Sequence, residues 1–176
     1  MKKITLAVVF SFATWIALKA QGFYSNQPLA HTYSVVAIDE ETGDMGVAVQ
    51  SHWFATGTLV TWGEAGVGVI ATQSFVNPEF GPNGLAMLKK GMTAKEVLDK
   101  LIAEDEGRAV RQLAVLDNKG NVAAHTGKDC IQAAGHIEGQ GFSVQANLMD
   151  NDKVWPAMAK SMEKSKGQPL AERLLK

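Results

Sequence analysis

The sequence predicts an α+β domain in which two antiparallel sheets are stacked between layers of helices. Three observations lead to this prediction. The strand-like segments come in hairpins, the helical segments arrive in separate groups, and 17 glycines against 5 prolines supply many tight turns. Because the separate helix groups need different apolar surfaces to cover, we expect a four-layer αββα sandwich with the sheets inside.

Four strands come first along the chain, as two hairpins rich in β-branched and apolar residues. They are predicted over 32–38, 45–50, 59–62 and 67–73. Gly63, Gly66 and Gly68 resemble a glycine-rich nucleotide loop, but such a loop joins a strand to a helix. Since these glycines lie inside the second hairpin, we interpret them as turn and bulge residues.

Two helices follow, and then further strands. Turn residues precede a short helix predicted over 85–90, which Gly91 ends. Thr93 and Glu96 form a capping box for a second helix whose apolar residues share one face. The later elements are predicted strands over 111–117, 121–126 and 141–148, a helix over 152–164 capped by Asp152, and a last helical turn opened by Pro169.

Length, composition and charge exclude several classes of protein. The 176 residues correspond to one domain. A hydrophobic content of 46% suffices for a core, which excludes intrinsic disorder for most of the length. Seventeen basic residues against 18 acidic ones, without a basic run, exclude nucleic acid as a partner.

The histidines and the cysteine lack the patterns of metal and disulfide sites. His31, His52, His125 and His136 have no paired ligand spacing, so we interpret them as surface or loop residues. A zinc site assembled from distant positions is the alternative. Cys130 is the only cysteine, which excludes an intramolecular disulfide. We interpret it as a packed or half-exposed loop residue, with a nucleophilic thiol as the alternative, and we expect neither a metal nor an organic cofactor.

Residues 1–20 have the layout of a secretory signal peptide. Two lysines precede an apolar stretch over 4–18, and the segment ends at the small residue Ala20. Since the stretch is shorter than the roughly 20 residues of a transmembrane helix, an uncleaved anchor is only the alternative. We therefore expect an exported protein, periplasmic or extracellular and free of the membrane after cleavage, with a polar spacer over 21–31.

The first strand opens with a residue that could act as a nucleophile. A Gly-x-Ser-x-Gly elbow is missing from the sequence, so a conventional serine triad is not indicated. A threonine at a chain's own N-terminus can instead use its α-amine, with a pKa near 8, to take the hydroxyl proton. Thr32 is in that position only if the chain is cut between His31 and Thr32. The alternative is an ordinary β-branched strand residue.

From Thr32 to the end, the chain resembles a bacterial and archaeal family known as domain of unknown function 1028 (DUF1028). The resemblance runs in one register over 32–176, which we expect to be the domain. The segments that carry it are 32–37, 42–51, 62–68, 71–74, 77–78, 80–82, 84–85, 111–112, 126–127, 135–136 and 141–147.

Members of this family look like N-terminal-nucleophile (Ntn) hydrolases, which are αββα sandwiches. The resemblance therefore implies that Thr32 is the nucleophile and, through its amine, the general base. It implies hydrolysis of a small-molecule or peptide amide through an acyl-enzyme, and some relatives carry a peptidoglycan-binding module that suggests cell-wall amides. The residues that match polar motif positions, each a site residue or a structural turn residue, are Gln50, Ser51, Glu64, Gln73, Asn77 and Asn147.

Two alternatives to the hydrolase stay open. Family members continue past the segment 170–175 into further strands, so we expect a C-terminally truncated domain, which would be nonfunctional if those strands are needed. A catalytically silent ligand-binding or scaffold protein on the same fold is the other alternative, and a homo-oligomer is possible. Trp53, Phe54 and Trp62 are interpreted as core residues, with an apolar cleft or subunit contact as the alternative.

Overall fold

The computed structural model describes residues 31–176. The predicted signal peptide over 1–20 and the spacer up to Ala30 lie outside the described residues. Within the described part, every helix is too short or too polar to cross a bilayer.

Eight strands form two antiparallel sheets of four. The strands are β1 (Thr32–Ile38), β2 (Met45–Ser51), β3 (Thr61–Glu64), β4 (Gly68–Ser74), β5 (Arg111–Asp117), β6 (Val122–Thr126), β7 (Gly135–Gly139) and β8 (Phe142–Asn147). Sheet A has the order β2-β1-β8-β7, and sheet B has the order β3-β4-β5-β6. All pairings are antiparallel, as the hairpins predict.

The described helices lie between and after the hairpins. They are α1 (Gly57–Val60), α2 (Phe80–Lys89), α3 (Ala94–Glu104), α4 (Val154–Lys164) and α5 (Leu170–Leu174). The predicted capping box is confirmed, because the Thr93 hydroxyl accepts from the backbone N–H of Glu96 while the Glu96 carboxylate accepts from the backbone N–H of Thr93.

Three apolar clusters separate four layers, which confirms the two-sheet sandwich. The first packs α2 and α3 on sheet B around Ile70 and Leu113, and the second packs α4 and α5 on sheet A around Val144. The third lies between the sheets and contains Val36 and Leu116. The order is therefore helices, sheet B, sheet A, helices.

Polar side chains occupy part of the space between the two sheets. Side chains alternate along a strand, and Val36 of β1 belongs to the inter-sheet cluster, so Thr32 and Ser34 share its inner face. In β8, Val144 packs outward against α4, which leaves Gln145 and Asn147 facing sheet B. All four of these polar residues are buried.

The third strand and the helix that follows the second hairpin begin at other residues than predicted. Leu59 and Val60 belong to the short helix α1, so β3 begins only at Thr61. Helix α2 begins at Phe80 and therefore includes Gly81 and Gly84. These glycines leave room for close packing on sheet B, because a Cβ atom there would collide with Trp62 or Ile70.

The last long helix begins later than predicted, and one strand was missed. Helix α4 starts at Val154 after Lys153, and the predicted cap Asp152 makes no capping bond. Strand β7 has a glycine at each end and no β-branched run, so its sequence lacks the usual strand signal. The rings of Trp155 and Phe142 occupy the space that a Cβ atom on Gly135 or Gly139 would need.

Gly63 and Gly68 pair in regular register, so their interpretation as bulge residues was wrong, and only Gly66 lies in the turn. Gly68 provides a test of the packing between β4 and β5. A Cβ atom on Gly68 would lie 2.5 Å from the carbonyl oxygen of Leu116 and 2.6 Å from Leu88 Cδ1. We expect Gly68→Ala to lower the free energy of unfolding by about 1–3 kcal/mol through overpacking, measured by urea denaturation. Gly57→Ala is the matched control, because open space surrounds Gly57, and we expect a change within about 0.5 kcal/mol. Equal effects of the two substitutions would contradict the packing.

Candidate active site

Thr32 is the first residue of β1, which is a central strand of sheet A, so it lies at one end of that sheet. Its side chain is buried, with 6% exposure. Its register partners are Ser51 on β2 and Asn147 on β8. The Thr32 Oγ1 and Ser51 Oγ atoms are 2.8 Å apart, within hydrogen-bonding distance, and Ser51 Oγ also accepts from the backbone N–H of Trp53. The predicted nucleophile therefore has a hydroxyl whose position is fixed by a neighbouring strand.

A cavity of about 650 Å³ opens at this end of the sandwich, where β1, β4 and β5 meet. Its size is that of a small-molecule site. Four of the predicted site residues line it together. These are Thr32, Ser51, Gln73 and Asn147.

Gln112 on β5 organises the polar side chains behind this cavity. Its Nε2 lies 3.0 Å from the carbonyl oxygen of Ala146 and 3.1 Å from that of Gly135, so it donates across to sheet A. Its Oε1 consequently faces the other way and accepts from Gln73 Nε2 at 2.6 Å and Asn147 Nδ2 at 3.0 Å. Because both amides donate to one oxygen, their own oxygen atoms point away from it. The network fixes the orientation of three amide side chains.

The same network reaches His136, which is half-buried on β7. Gln112 Nε2 lies 2.9 Å from Thr126 Oγ1, which lies 2.8 Å from His136 Nδ1. The two amide hydrogens of Gln112 are shared among three acceptors, so either Thr126 Oγ1 or the imidazole can donate the last hydrogen bond. Burial lowers the pKa of His136, and the positive charge that His125 would carry lowers it further, while Glu138 acts in the opposite direction.

The loops around the cavity adopt backbone conformations that are rare for these residue types. Ala55, Ser74 and Leu148 have positive φ angles of 54°, 68° and 61°. Ser74 and Leu148 line the cavity, and Ala55 lies between two lining residues. Such residues cost about 1–3 kcal/mol each and cluster at functional sites. The strain therefore supports the assignment of this region as the site.

The peptide bond before Thr32 is held by His52. The backbone N–H of His52 donates to the His31 carbonyl oxygen at 3.3 Å. His52 Nδ1 lies 3.2 Å from the His31 nitrogen and 3.3 Å from the same oxygen. In the described chain, the Thr32 nitrogen is thus part of a peptide bond whose carbonyl oxygen is bound by His52.

The other three predicted site residues lie away from the cavity. Gln50 is exposed on the outer face of sheet A, next to a second cavity beneath α5. Glu64 lies at the far end of β3 and pairs with Lys89 at 2.5 Å. Asn77 stabilises a turn, since its Oδ1 accepts from the backbone N–H of Glu79. None of these three side chains forms a hydrogen bond with Thr32 in the described structure, and their catalytic roles stay predictions.

Several interpretations of single residues need correction. Trp53 and Phe54 are 69% and 98% exposed at the rim of the cavity, so the prediction that they are core residues was wrong. Trp62 does pack against the core. His125 and His136 lie half-buried in β6 and β7, so their interpretation as surface or loop residues was wrong, although the strand that contains His125 was predicted.

Gln112 and Arg111 were missed as site residues. The signal available in the sequence was a polar pair at the start of an otherwise apolar strand. Arg111 lines the cavity, and its Nε donates to Asp105 Oδ2 at 2.7 Å. This hydrogen bond holds the pKa of Asp105 below its ordinary value. Cys130 is buried, and its Sγ lies 3.3 Å from the Arg111 carbonyl oxygen.

The half-buried imidazole of His136 predicts a pH dependence of stability. Because burial lowers the pKa of His136 in the folded state, the unfolded chain takes up a proton first as the pH falls below about 6.5. We expect the free energy of unfolding to fall between pH 7.5 and pH 5.5, as measured by urea denaturation. His136→Gln should make that fall shallower, whereas His125→Gln should keep most of it. An unchanged pH dependence in His136→Gln would contradict the assignment.

Comparisons with known proteins place the chain in a family. The model of a family of unknown function, DUF1028, matches residues 32–176. The fold is similar to the crystal structure of protein SPO2555 from Silicibacter pomeroyi, itself described as DUF1028, with a TM-score of 0.78 and 29% sequence identity. That similarity covers 82% of this chain and 64% of SPO2555, so the chain spans less than two thirds of its length. No curated protein matches this chain. Because the family model covers most of the sequence, the chain belongs to the DUF1028 family.

Proposed function

We propose that this protein is an amide hydrolase of the N-terminal-nucleophile type, in which Thr32 is the nucleophile once the bond between His31 and Thr32 is cut. One observation carries the proposal. The buried Thr32 hydroxyl, held 2.8 Å from Ser51 Oγ, opens onto a 650 Å³ cavity at the very residue where the domain begins. A free amine at that residue would lie beside its own hydroxyl.

The chemistry needs only Thr32 and water. The α-amine, with a reference pKa of about 8, takes the proton of Oγ1 as this oxygen bonds to the substrate's carbonyl carbon. The C–N bond of the amide then breaks, and the leaving amine departs with the proton. Water attacks the resulting ester under the same base, which releases the acid and restores the threonine.

Asn147 is the best-placed group to stabilise the oxyanion. Its Nδ2 carries two hydrogens, one of which is used by Gln112 Oε1 at 3.0 Å. The other is available to a substrate oxygen beside Thr32, its register partner. The amide cannot rotate, because Gln112 fixes it, and a donor that is already oriented is what oxyanion stabilisation requires.

The same contacts support self-processing of the chain. The His31 carbonyl oxygen accepts from the His52 backbone N–H, and the His52 ring lies 3.3 Å from it. Attack by Thr32 Oγ1 on the His31 carbonyl carbon would move the acyl group from nitrogen to oxygen. Water would then cleave that ester and free the Thr32 amine. In this proposal, export removes residues 1–20 first, and the substrate is met outside the cytoplasm.

The hydrogen bonds between His31 and His52 support a second candidate function. If the chain is never cut between His31 and Thr32, the amine stays in a peptide bond and the cavity can only bind. These hydrogen bonds hold that uncut arrangement in place. A catalytically silent binding protein and a hydrolase thus differ only in whether the peptide bond between His31 and Thr32 is cut.

Two chains that differ by one residue separate these functions. One begins at Thr32 and the other at His31, so only the first has a free amine beside the hydroxyl. We expect the first to hydrolyse neutral amide substrates and the second to be inactive until it loses His31. The measurement is release of the amine, with the N-terminus checked by mass spectrometry.

Substitutions in the chain that begins at Thr32 provide the controls. Thr32→Ala should abolish hydrolysis, and Thr32→Ser should retain part of it, because serine keeps the hydroxyl. Thr42→Ala is the matched control in the exposed turn of the first hairpin and should retain full activity. Activity that survives Thr32→Ala would contradict the proposed nucleophile.

A further inference from the structure

We infer that the Thr32 cavity accepts neutral amides that carry a large apolar group, such as an aromatic ring. This inference names the substrate class of the proposed hydrolase and rests on that function for catalysis, although the binding it requires can be measured without catalysis.

Exposed apolar side chains are concentrated around this cavity. Seven large hydrophobic side chains are exposed in the described part of the chain, and five of them line the cavity. The five are Trp53, Phe54, Leu59, Phe75 and Ile131. A contiguous exposed apolar surface around a concave site is typical of ligand binding. The rim therefore matches an apolar group of a ligand.

The charges around the cavity favour a neutral ligand. Arg111 is the only lining residue that is permanently charged. Its Nε donates to Asp105 Oδ2, and its Nη1 donates to the Phe75 carbonyl oxygen at 2.5 Å. Because its charge is already compensated by a carboxylate, it offers little to an acidic ligand. The lining contains no carboxylate to attract a basic one.

The rim is held in its exposed arrangement by the backbone beneath it. Thr58 Oγ1 donates to the carbonyl oxygen of Ala55, which has a positive φ angle, and this bond closes the turn that follows Phe54. The hydrogen bond therefore fixes the backbone beside Phe54, whose side chain is 98% exposed. A site already shaped for its ligand loses less free energy on binding.

The floor of the cavity favours a small amide over a second protein copy. Thr32 and Asn147 line it but are only 6% and 1% exposed, so a flat surface could not reach them. A small molecule can place its amide at this polar floor and its apolar group at the rim. The distribution of polar and apolar groups thus matches one amphipathic ligand.

Binding is measured on the full chain carrying Thr32→Ala, by titration calorimetry. The probes are N-methylacetamide and two larger relatives. N-methyl-2-phenylacetamide carries a ring on the acyl side of the amide, and N-benzylacetamide carries one on the nitrogen side. We expect at least one larger probe to bind roughly tenfold or more tightly than the smallest, as apolar pockets discriminate by about that much. Phe54→Ala should remove most of this preference. Leu175→Ala, which truncates another highly exposed side chain outside the cavity, should keep this preference.

Hydrolysis of the same probes by the chain that begins at Thr32 separates the two claims. Preferential binding without hydrolysis would support this inference and contradict the proposed function. Hydrolysis without preference for the ring would leave the function standing and overturn the inference. Equal or undetectable binding of all three probes would overturn the inference. So would a dimer that Phe54→Ala dissociates in sedimentation equilibrium, because a second copy would then cover the rim.

Discussion

The hydrogen bonds of Gln112 are the constraint on which the candidate site depends. A buried amide group that lacks a hydrogen-bond partner costs about 1–3 kcal/mol. Gln112 avoids this cost with hydrogen bonds to Ala146 and Asn147 of sheet A and to Gln73 of its own sheet. Gln145 makes the reciprocal connection, from sheet A to the Ala71 carbonyl oxygen of sheet B. These two glutamines join the sheets at the end where the cavity opens.

This constraint explains why a polar site can exist inside a sandwich. Apolar packing around Val36 and Leu116 holds the middle of the sheet interface, while amide and hydroxyl groups replace it toward Thr32. The amides are fixed by one another, so they are oriented before a substrate arrives. The positive φ angles of Ser74 and Leu148 occur at the ends of strands β4 and β8, where the polar groups meet the cavity. The apolar packing thus supplies stability that offsets the strained backbone beside the cavity.

The sequence predicted the strands with a strong β-branched pattern, and it failed where the signal was spread over distant residues. Thr32–Ile38 was readable from its own residues, whereas β7 depends on aromatic rings that fill the space beside its glycines. Ser51, Gln73 and Asn147 were placed at the site through family resemblance, and the structure brings them to Thr32. Gln112 could not be distinguished from a solvent-facing strand residue, because its partners lie up to 39 positions away.

The most direct test of the account is the N-terminus of the protein recovered from cells that express the full chain, by intact mass and N-terminal sequencing. The account predicts a chain that begins at Thr32, with the α-amine free beside the hydroxyl that contacts Ser51. A chain that still carries His31, and whose mass is the same in Thr32→Ala, would contradict it. The cavity would then belong to a binding protein.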